Sequence, residues 1–171
     1  MLTKGPQIIL RSVENPKITA IDAELMRQLQ KNARISNKAL AEAVGIAEST
    51  CLERVRRLSD RGVLRGFHAD VEPQALGRNL RALISVRLQP KTTKSVIAFQ
   101  ENVLEAPETV NVWTVSGSDD FVVEVTVPDV DTLRNFVLDV ITARPDVADS
   151  RTALVYEHRS KHVLEPLRPA D

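Results

Sequence analysis

The sequence is poor in the residues that build disulfide frameworks, cysteine metal sites and membrane spans. Its 171 residues include one cysteine, Cys51, which excludes an intramolecular disulfide and is typical of a reducing cytosol. Aromatic residues make up 4% of the chain, and no apolar run approaches the roughly 20 residues of a transmembrane helix. The apolar triplet at 8–10 is too short for the core of a signal peptide. We therefore expect a cytoplasmic protein with no membrane partner.

The chain also lacks net charge, but its charges are unevenly distributed. Residues 1–17 carry three basic and one acidic residue, residues 18–66 carry nine and six, and residues 67–171 carry eleven and sixteen. The N-terminal part is therefore basic and the remainder acidic. Such an asymmetry points to a polyanionic partner for the basic part.

Three short amphipathic helices are predicted in the basic part of the chain, after an arm without sustained periodicity. Thr19 is suited to begin the first helix because Asp22 follows at capping-box spacing. Ser36 is suited to begin the second helix, and Gly45 to end it. The third helix is predicted over about 48–60. A glycine turn between the second and third helices indicates a helix-turn-helix domain.

The third helix combines an apolar stripe with several arginines. We expect its inward side to consist of Cys51, Leu52, Val55 and Leu58. The outward side then carries Thr50, Glu53, Arg54 and Arg57. Arginine suits a helix against DNA because its guanidinium grips phosphates and reads guanine, and a hydroxyl at the amino end donates to phosphate. The alternative is a solvated helix face with a Glu53–Arg57 ion pair. Residues 62–71 follow, either as a strand-like wing or as the exit from the helices.

From Arg81 the apolar period changes from 3.6 to 2. Strands are predicted over 81–89, 109–115, 121–127 and 148–158, with helices over 93–105 and from Pro128-Asp129. The order β-α-β-β-α-β predicts a ferredoxin-like α+β sandwich with both helices on one side of the sheet. The uncovered face is expected to carry Leu83, Trp113, Val115 and Val122. Pairing with a second copy of the chain is an economical way to cover it.

The segment SGSDDF, residues 116–121, is the most polar part of this second half. Its spacing alone favours a plain hairpin loop with Gly117 at positive φ. The functional alternative is a ligand loop in which backbone N–H groups meet a carboxylate and an aspartate meets an ammonium. The three histidines are too scattered for a metal site. No catalytic triad, phosphate-cradling loop or dinucleotide fingerprint is present, so we predict no catalytic residue, metal or cofactor.

Three segments closely resemble the Lrp/AsnC family, the leucine-responsive and asparagine-responsive transcription regulators of bacteria and archaea. They are RISNKALAEAVGIAESTCLERVRRLSDRGVLRGFHADVEPQALG, VSGSDDFVVEVTVPD and SRTALVY. The resemblance covers about residues 18–161 and implies an organisation in five parts. These are an N-terminal arm at 1–17, a winged helix-turn-helix DNA-binding domain at 18–66, a linker at 67–80, a ferredoxin-like effector (RAM) domain at 81–160 and a C-terminal tail at 161–171.

The resemblance also implies partners and site residues. DNA contacts would come from Ser49, Thr50, Glu53, Arg54 and Arg57, with further backbone contacts by Lys38, Arg56 and Arg65. An amino-acid effector would bind between neighbouring effector domains, at Gly117, Ser118, Asp119, Asp120, Thr152 and Leu154, with Asp120 taking its ammonium. Family members form homodimers through their sheets, often assembled into tetramers or octamers. The leading interpretation is therefore a sequence-specific, double-stranded DNA-binding regulator that responds to an amino acid and is not an enzyme.

Two departures from the family pattern bear on these expectations. Many relatives begin the third helix with Ser-Pro, but this chain has Ala47-Glu48, so the helix cap is lost or passes to Ser49. In many relatives an aromatic residue precedes the aspartate of this loop, but in this chain Asp119 occupies that position before Asp120. Two adjacent carboxylates favour an effector with added positive charge, so we expect a polar or basic amino acid. Two rival functions are an architectural, nucleoid-associated protein without effector and a sirohaem-decarboxylase-like enzyme.

Overall fold

The computed structural model describes residues 17–167, which form two compact units. Residues 17–70 and 159–167 make up the first unit, and residues 71–158 make up the second. The predicted arm lies outside the described residues apart from Lys17. Within the described part, none of the helices combines the length and apolar character that a membrane crossing requires.

The first unit is built on three helices, α1 (Ala20–Lys31), α2 (Asn37–Val44) and α3 (Glu48–Asp60). Thr19 caps α1, and the reciprocal hydrogen bonds of a capping box with Asp22 confirm the predicted start. Ser36 caps α2 as predicted, and Gly45 ends it with φ +74°. The core contains Leu25, Leu29, Leu40, Ala41 and Cys51. The predicted helix-turn-helix outline is therefore confirmed.

The beginning of α3 lacks a side-chain cap. Ala47 occupies the capping position, and its methyl side chain cannot accept a hydrogen bond from the first turn. Of the two outcomes left open by the sequence, the cap is therefore lost rather than passed to Ser49. After α3, residues 62–72 contain neither helix nor strand, so this segment is the exit from the helices and forms no β wing.

The segment predicted as a linker is divided between the two units. Residues 71–80 belong to the second unit, where Pro73–Leu76 forms a turn of 3₁₀ helix. The guanidinium of Arg78 anchors this part by donating to Thr126 Oγ1 at 3.1 Å and to the Pro107 carbonyl at 2.7 Å. Residues 159–167 belong to the first unit, where the backbone N–H and carbonyl of Leu164 form two hydrogen bonds with the Gln30 side-chain amide.

The second unit is a four-stranded antiparallel sheet with helices on one side, as predicted. Its strands are β1 (Leu80–Leu88), β2 (Thr109–Thr114), β3 (Phe121–Val127) and β4 (Val147–Leu154), in the spatial order β2-β3-β1-β4. Helix α4 (Thr93–Glu105) follows β1, and α5 (Val130–Phe136) follows β3 and continues as a π-helical segment, Val137–Thr142. The chain order β-α-β-β-α-β is confirmed. The last strand ends at Leu154, four residues before the predicted end.

The core of the second unit lies between the sheet and its helices. Alternate residues of β1 and β3 are fully buried there, and Phe99 of α4 stacks on Phe121 with ring centroids 4.5 Å apart. In the helix after β3, apolar periodicity predicts Leu133, Phe136, Val137 and Val140 on the inward side, but Ile141 is fully buried as well. The π-helical segment shifts the inward face along the chain, which a period of 3.6 does not anticipate.

The other face of the sheet carries no helix in the described part of this unit. Trp113 lies opposite Val122, and Leu83 lies diagonally across from Val122 on the same face. Trp113 is 44% exposed. We call this surface the open face; its predicted apolar composition is confirmed for these three residues. Arg81 and Glu124 form an ion pair at 3.4 Å on it, and Asn111 donates to Glu124.

Candidate DNA interface and effector loop

The exposed side of α3 gathers polar and basic side chains. At 3.6 residues per turn, positions 51, 54, 55 and 58 share the side that packs against α1 and α2. The side chains of the opposite side are exposed; they are Ser49, Thr50, Leu52, Glu53, Arg56 and Arg57. Leu52 is 62% exposed, so its predicted inward orientation is wrong. The inward position goes to Arg54 instead.

Arg54 departs from the predicted outward orientation because a buried carboxylate draws it toward α1. Its Nη1 donates to Asp22 Oδ1 at 2.9 Å and lies 3.4 Å from the hydroxyl of Thr19. The side chain of Asp22 is 2% exposed and that of Arg54 is 24% exposed. The expectation that Arg54 lies on the outer face is therefore wrong. Its guanidinium links the start of α1 to the middle of α3.

Asp22 remains ionised at this buried position. Burial alone raises the pKa of a carboxyl group, but hydrogen bonds from Thr19 and Arg54 outweigh it and hold the pKa of Asp22 below its usual value. The sequence identifies Asp22 only as part of a capping box. Nothing in the spacing of Asp22 and Arg54 along the chain indicates that they meet.

The remaining predicted DNA-contacting residues of the first unit are all exposed. Arg56 lies 3.8 Å from Asp60 in an exposed i,i+4 pair, which contributes little to stability. Among the described residues no ion pair joins Glu53 to Arg57, so the solvated alternative for this face lacks its expected pair. Lys38 and Arg65 are also exposed. Among the described residues of its own unit, none covers the outer face of α3.

The loop between β2 and β3 is fixed at both ends by backbone hydrogen bonds. Val115 N–H donates to the Asp120 carbonyl at 2.9 Å, and Asp120 N–H donates to the Val86 carbonyl at 2.9 Å. Between them Gly117 adopts φ +125°, a conformation that side-chain-bearing residues rarely take. Gly117 and Ser118 are exposed. The predicted loop therefore presents its tip to solvent on a fixed base.

Both oxygens of Asp120 are already engaged. Oδ2 accepts from the Leu88 backbone N–H at 2.8 Å, and Oδ1 accepts from Lys91 Nζ at 2.5 Å. Burial raises the pKa of Asp120, but the hydrogen bonds from the Lys91 ammonium and the Leu88 N–H together lower it by more. The pKa of Asp120 therefore lies below its usual value. Asp120 is therefore a buried, ionised carboxylate. Lys91 was not among the predicted site residues, because it lies 29 positions away in the sequence.

Asp119 also forms an ion pair with a basic side chain. Arg151 Nη2 lies 2.5 Å from Asp119 Oδ1, and Arg151 Nη1 lies 3.7 Å from Asp149. Arg151 and Lys91 therefore balance the charges of the two adjacent carboxylates, Asp119 and Asp120. These ion pairs weaken the argument for added positive charge on the ligand, and the polar or basic effector stays a prediction.

The structure connects the loop to β4 through a residue that was not predicted. Arg151 pairs across the sheet with Ser85 on the open face, where it meets Asp119. Thr152 and Leu154 pair with Ile84 and Ala82, so they belong to the opposite face of the sheet. Both are exposed. Among the described residues of this chain, the loop thus reaches Arg151 rather than the two predicted β4 residues.

No described group of three or more His, Cys, Asp or Glu side chains is arranged to hold a metal ion. Cys51 is fully buried in the helical core, as predicted. Burial raises the pKa of the Cys51 thiol, which disfavours the reactive thiolate.

Comparisons with known proteins match both units. Family models match as the AsnC-type helix-turn-helix domain over residues 18–59 and as the Lrp/AsnC ligand binding domain over residues 81–163. The chain is 44% identical over 138 residues to the HTH-type transcriptional regulator AldR of Mycolicibacterium smegmatis, covering 81% of each protein. It is 36% identical over 138 residues to the leucine-responsive regulatory protein of Rhizobium meliloti, covering 81% of this chain and 88% of that protein.

A solved structure of similar fold is the complex of a Neisseria meningitidis transcriptional regulator with L-methionine. It superimposes with a TM-score of 0.80 at 27% identity, over 86% of this chain and 96% of that one. Fold, domain order and sequence identity agree with the resemblance seen in the motifs. The chain belongs to the Lrp/AsnC family of transcriptional regulators, with an AsnC-type helix-turn-helix domain and a Lrp/AsnC ligand-binding domain.

Proposed function

We propose that this regulator binds specific double-stranded DNA sites through the outer face of α3 and that a free amino acid changes its occupancy of them. The exposed side chains on the outer face of α3 support the proposed DNA binding. They include hydroxyl groups at the amino end of the helix and arginines farther along it. Ser49 and Thr50 are suited to phosphate, and Arg57 to phosphate or guanine. Glu53 is suited to accept from cytosine.

Around this helix, Lys38, Arg56 and Arg65 supply positive charge for the DNA backbone. Arg54 is excluded from the direct contacts because its guanidinium is used inside the unit. It keeps α3 in position through Asp22. Leu52 joins the exposed set and offers an apolar contact to a thymine methyl group.

The effector half is supported by the loop at 116–120 and by the relatives. The loop exposes Gly117 and Ser118, two residues that have backbone N–H groups, beside a buried carboxylate, Asp120. These are the groups that the carboxylate and ammonium of an amino acid require. The N. meningitidis relative forms a complex with L-methionine, which makes an uncharged amino acid a reasonable first ligand. Thr152 and Leu154 would contribute only from the edge of the sheet or from a neighbouring protomer.

We further propose that the protein forms a homodimer through the open face. We also propose that it acts in the cytoplasm, where DNA is available. Leu83, Val122 and Trp113 supply its apolar centre, and the Arg81–Glu124 pair supplies a polar margin. Two α3 helices in one dimer would enter major grooves about one helical turn apart. No cofactor takes part in this proposal, and the relatives are named as transcriptional regulators rather than enzymes.

Fluorescence anisotropy tests the proposal directly. A labelled fragment from upstream of the protein's own gene is titrated at two salt concentrations, with unlabelled random DNA as competitor, with and without a pool of amino acids. We expect competitor-resistant binding that shifts with the pool. Arg57→Ala should weaken binding about tenfold or more, by the cost of one lost base or phosphate contact. Arg134→Ala, an exposed arginine of α5 in the other unit, serves as the matched control.

Each alternative outcome has a distinct meaning. Binding that ignores every amino acid would contradict the effector half and favour an architectural protein. Absence of binding to the fragment and to random DNA would contradict the DNA half, and absorbance with added haem would then test the enzyme alternative.

A further inference from the structure

The Lys91–Asp120 ion pair joins a fixed anion to a replaceable cation. The Asp120 side chain is 11% exposed and is held by the Leu88 backbone N–H at 2.8 Å, independently of Lys91. The Lys91 side chain is 55% exposed and reaches Asp120 Oδ1 at the end of a flexible four-carbon chain. The ammonium can therefore leave for solvent without any backbone rearrangement, while the carboxylate stays in place.

We propose that the effector amino acid binds by exchange at this pair. Its α-ammonium replaces Lys91 Nζ on Asp120 Oδ1, and the released Lys91 ammonium pairs with the effector's own carboxylate. The inference rests on the proposed amino-acid response and deepens it, because it adds Lys91 to the site as the partner of the ligand's carboxylate.

Charge balance explains why both groups of the ligand are needed. Before exchange the site contains one ion pair, and after exchange it contains two, one at Asp120 and one at Lys91. An amine without a carboxylate displaces Lys91 and leaves that ammonium with no anion. Asp119 cannot serve as the anion, because Arg151 already pairs with it. A carboxylic acid without an ammonium leaves the original pair intact.

The position of Lys91 gives the exchange a structural consequence. Lys91 lies in the connection between β1 and α4, two residues before α4 begins at Thr93. Its contact with Asp120 ties that connection to the base of the 116–120 loop. Before exchange, the Lys91–Asp120 ion pair links this connection to the loop directly. After exchange, the bound amino acid links them, because its ammonium contacts Asp120 and its carboxylate contacts Lys91.

Calorimetric titration of the full chain provides the test. L-Methionine, L-leucine and L-alanine are each compared with the amine that lacks only the carboxylate, namely 3-(methylthio)propylamine, 3-methylbutylamine and ethylamine. The readout is the ratio of the dissociation constant of the amine to that of the amino acid. The work of displacing Lys91 is common to both ligands and cancels in this ratio.

In the wild-type protein the ratio should be large for any amino acid of the set that binds. Lys91→Met should lower it about tenfold or more, the effect of one lost charge-assisted hydrogen bond. Lys91→Arg, which keeps the charge, should retain most of the ratio. Lys94→Met removes an exposed lysine in the first turn of α4 that is not a partner of Asp120, and it should leave the ratio unchanged.

The outcomes separate this inference from the function on which it rests. If Lys91→Met keeps the wild-type ratio, the exchange is wrong and the amino-acid response stands. If it tightens the amine and the amino acid equally, Lys91 is only a competitor and the exchange is again wrong. If the wild-type protein binds DNA but none of the three amino acids, the proposed response to them fails together with the exchange.

Discussion

Replacing Asp22 by asparagine removes one charge from the start of α1 while preserving the size of the side chain. In the native protein the Asp22 carboxylate accepts hydrogen bonds from Thr19 and from Arg54. Asparagine keeps one acceptor oxygen but leaves the Arg54 guanidinium without its anion. Because the Arg54 side chain is only 24% exposed, water compensates this loss incompletely.

The expected loss of stability follows from these contacts. Breaking a buried ion pair by removing one partner costs about 3–5 kcal/mol, and a hydrogen bond to a charged group contributes about 1.5–3 kcal/mol. Arg54 retains some access to water and asparagine retains an acceptor, so we expect about 2 kcal/mol for Asp22→Asn. The loss should be confined to the first unit.

Hydrogen exchange read by mass spectrometry measures this local loss. Protection should fall in α1 and α3, while fluorescence of Trp113, the single tryptophan, should report unchanged urea unfolding of the second unit. Asp60→Asn is the matched control, because Asp60 is exposed and its pair with Arg56 spans 3.8 Å. Equal effects of the two substitutions would refute the structural role of the Asp22–Arg54 pair.

The same pair predicts a pH dependence with a definite sign. The pKa of Asp22 is lower in the folded protein than in the unfolded chain, where it is about 3.9. Its ionisation therefore stabilises the fold above that value, and the contribution is lost as the pH falls through the folded-state pKa. Asp22→Asn should flatten the acid side of the stability curve for the first unit, and an unchanged acid slope would contradict this.

Three further predictions concern other parts of the fold. Cys51 should stay unreactive toward a thiol reagent until denaturant is added, and rapid labelling of the native protein would contradict its burial. Gly45→Ala should destabilise the first unit by about 1 kcal/mol in thermal unfolding, because alanine is strained at φ +74°; no change would be inconsistent with the left-handed turn. Val122→Glu should shift a sedimenting dimer to monomer, whereas Val130→Glu, at an exposed position of α5, should not; a dimer in both would place the interface elsewhere.

Local signals in the sequence were sufficient to predict most of the elements. Capping residues and apolar periodicity are properties of neighbouring residues, and they predicted the starts of α1 and α2. The predicted bounds of α3, α4 and β3 agree with the structure. The open face followed in the same way from alternation within strands.

The errors arose where a distant partner decides the orientation of a side chain. Arg54 points inward because it pairs with the buried carboxylate of Asp22, which lies 32 positions away in the sequence. Leu52 is exposed to solvent as a result. The sequence shows the two carboxylates of the 116–120 loop but not the cations that pair with them, because Lys91 lies between β1 and α4 and Arg151 lies on β4. Pairings of this kind depend on the tertiary fold, so spacing along the chain does not indicate them.

The salt dependence of DNA binding tests the central claim, that the outer face of α3 contacts DNA while Arg54 acts from inside. Anisotropy titrations with a random duplex give the slope of log K against log salt for the wild type, Arg56→Ala/Arg57→Ala and Arg54→Met. Each lost phosphate contact should reduce the magnitude of this slope by about 0.9. The double variant should therefore have a slope smaller in magnitude by about 2 for each α3 helix bound to DNA. Arg54→Met should bind more weakly with an unchanged slope. A wild-type slope for the double variant, or a reduced slope for Arg54→Met, would contradict the account.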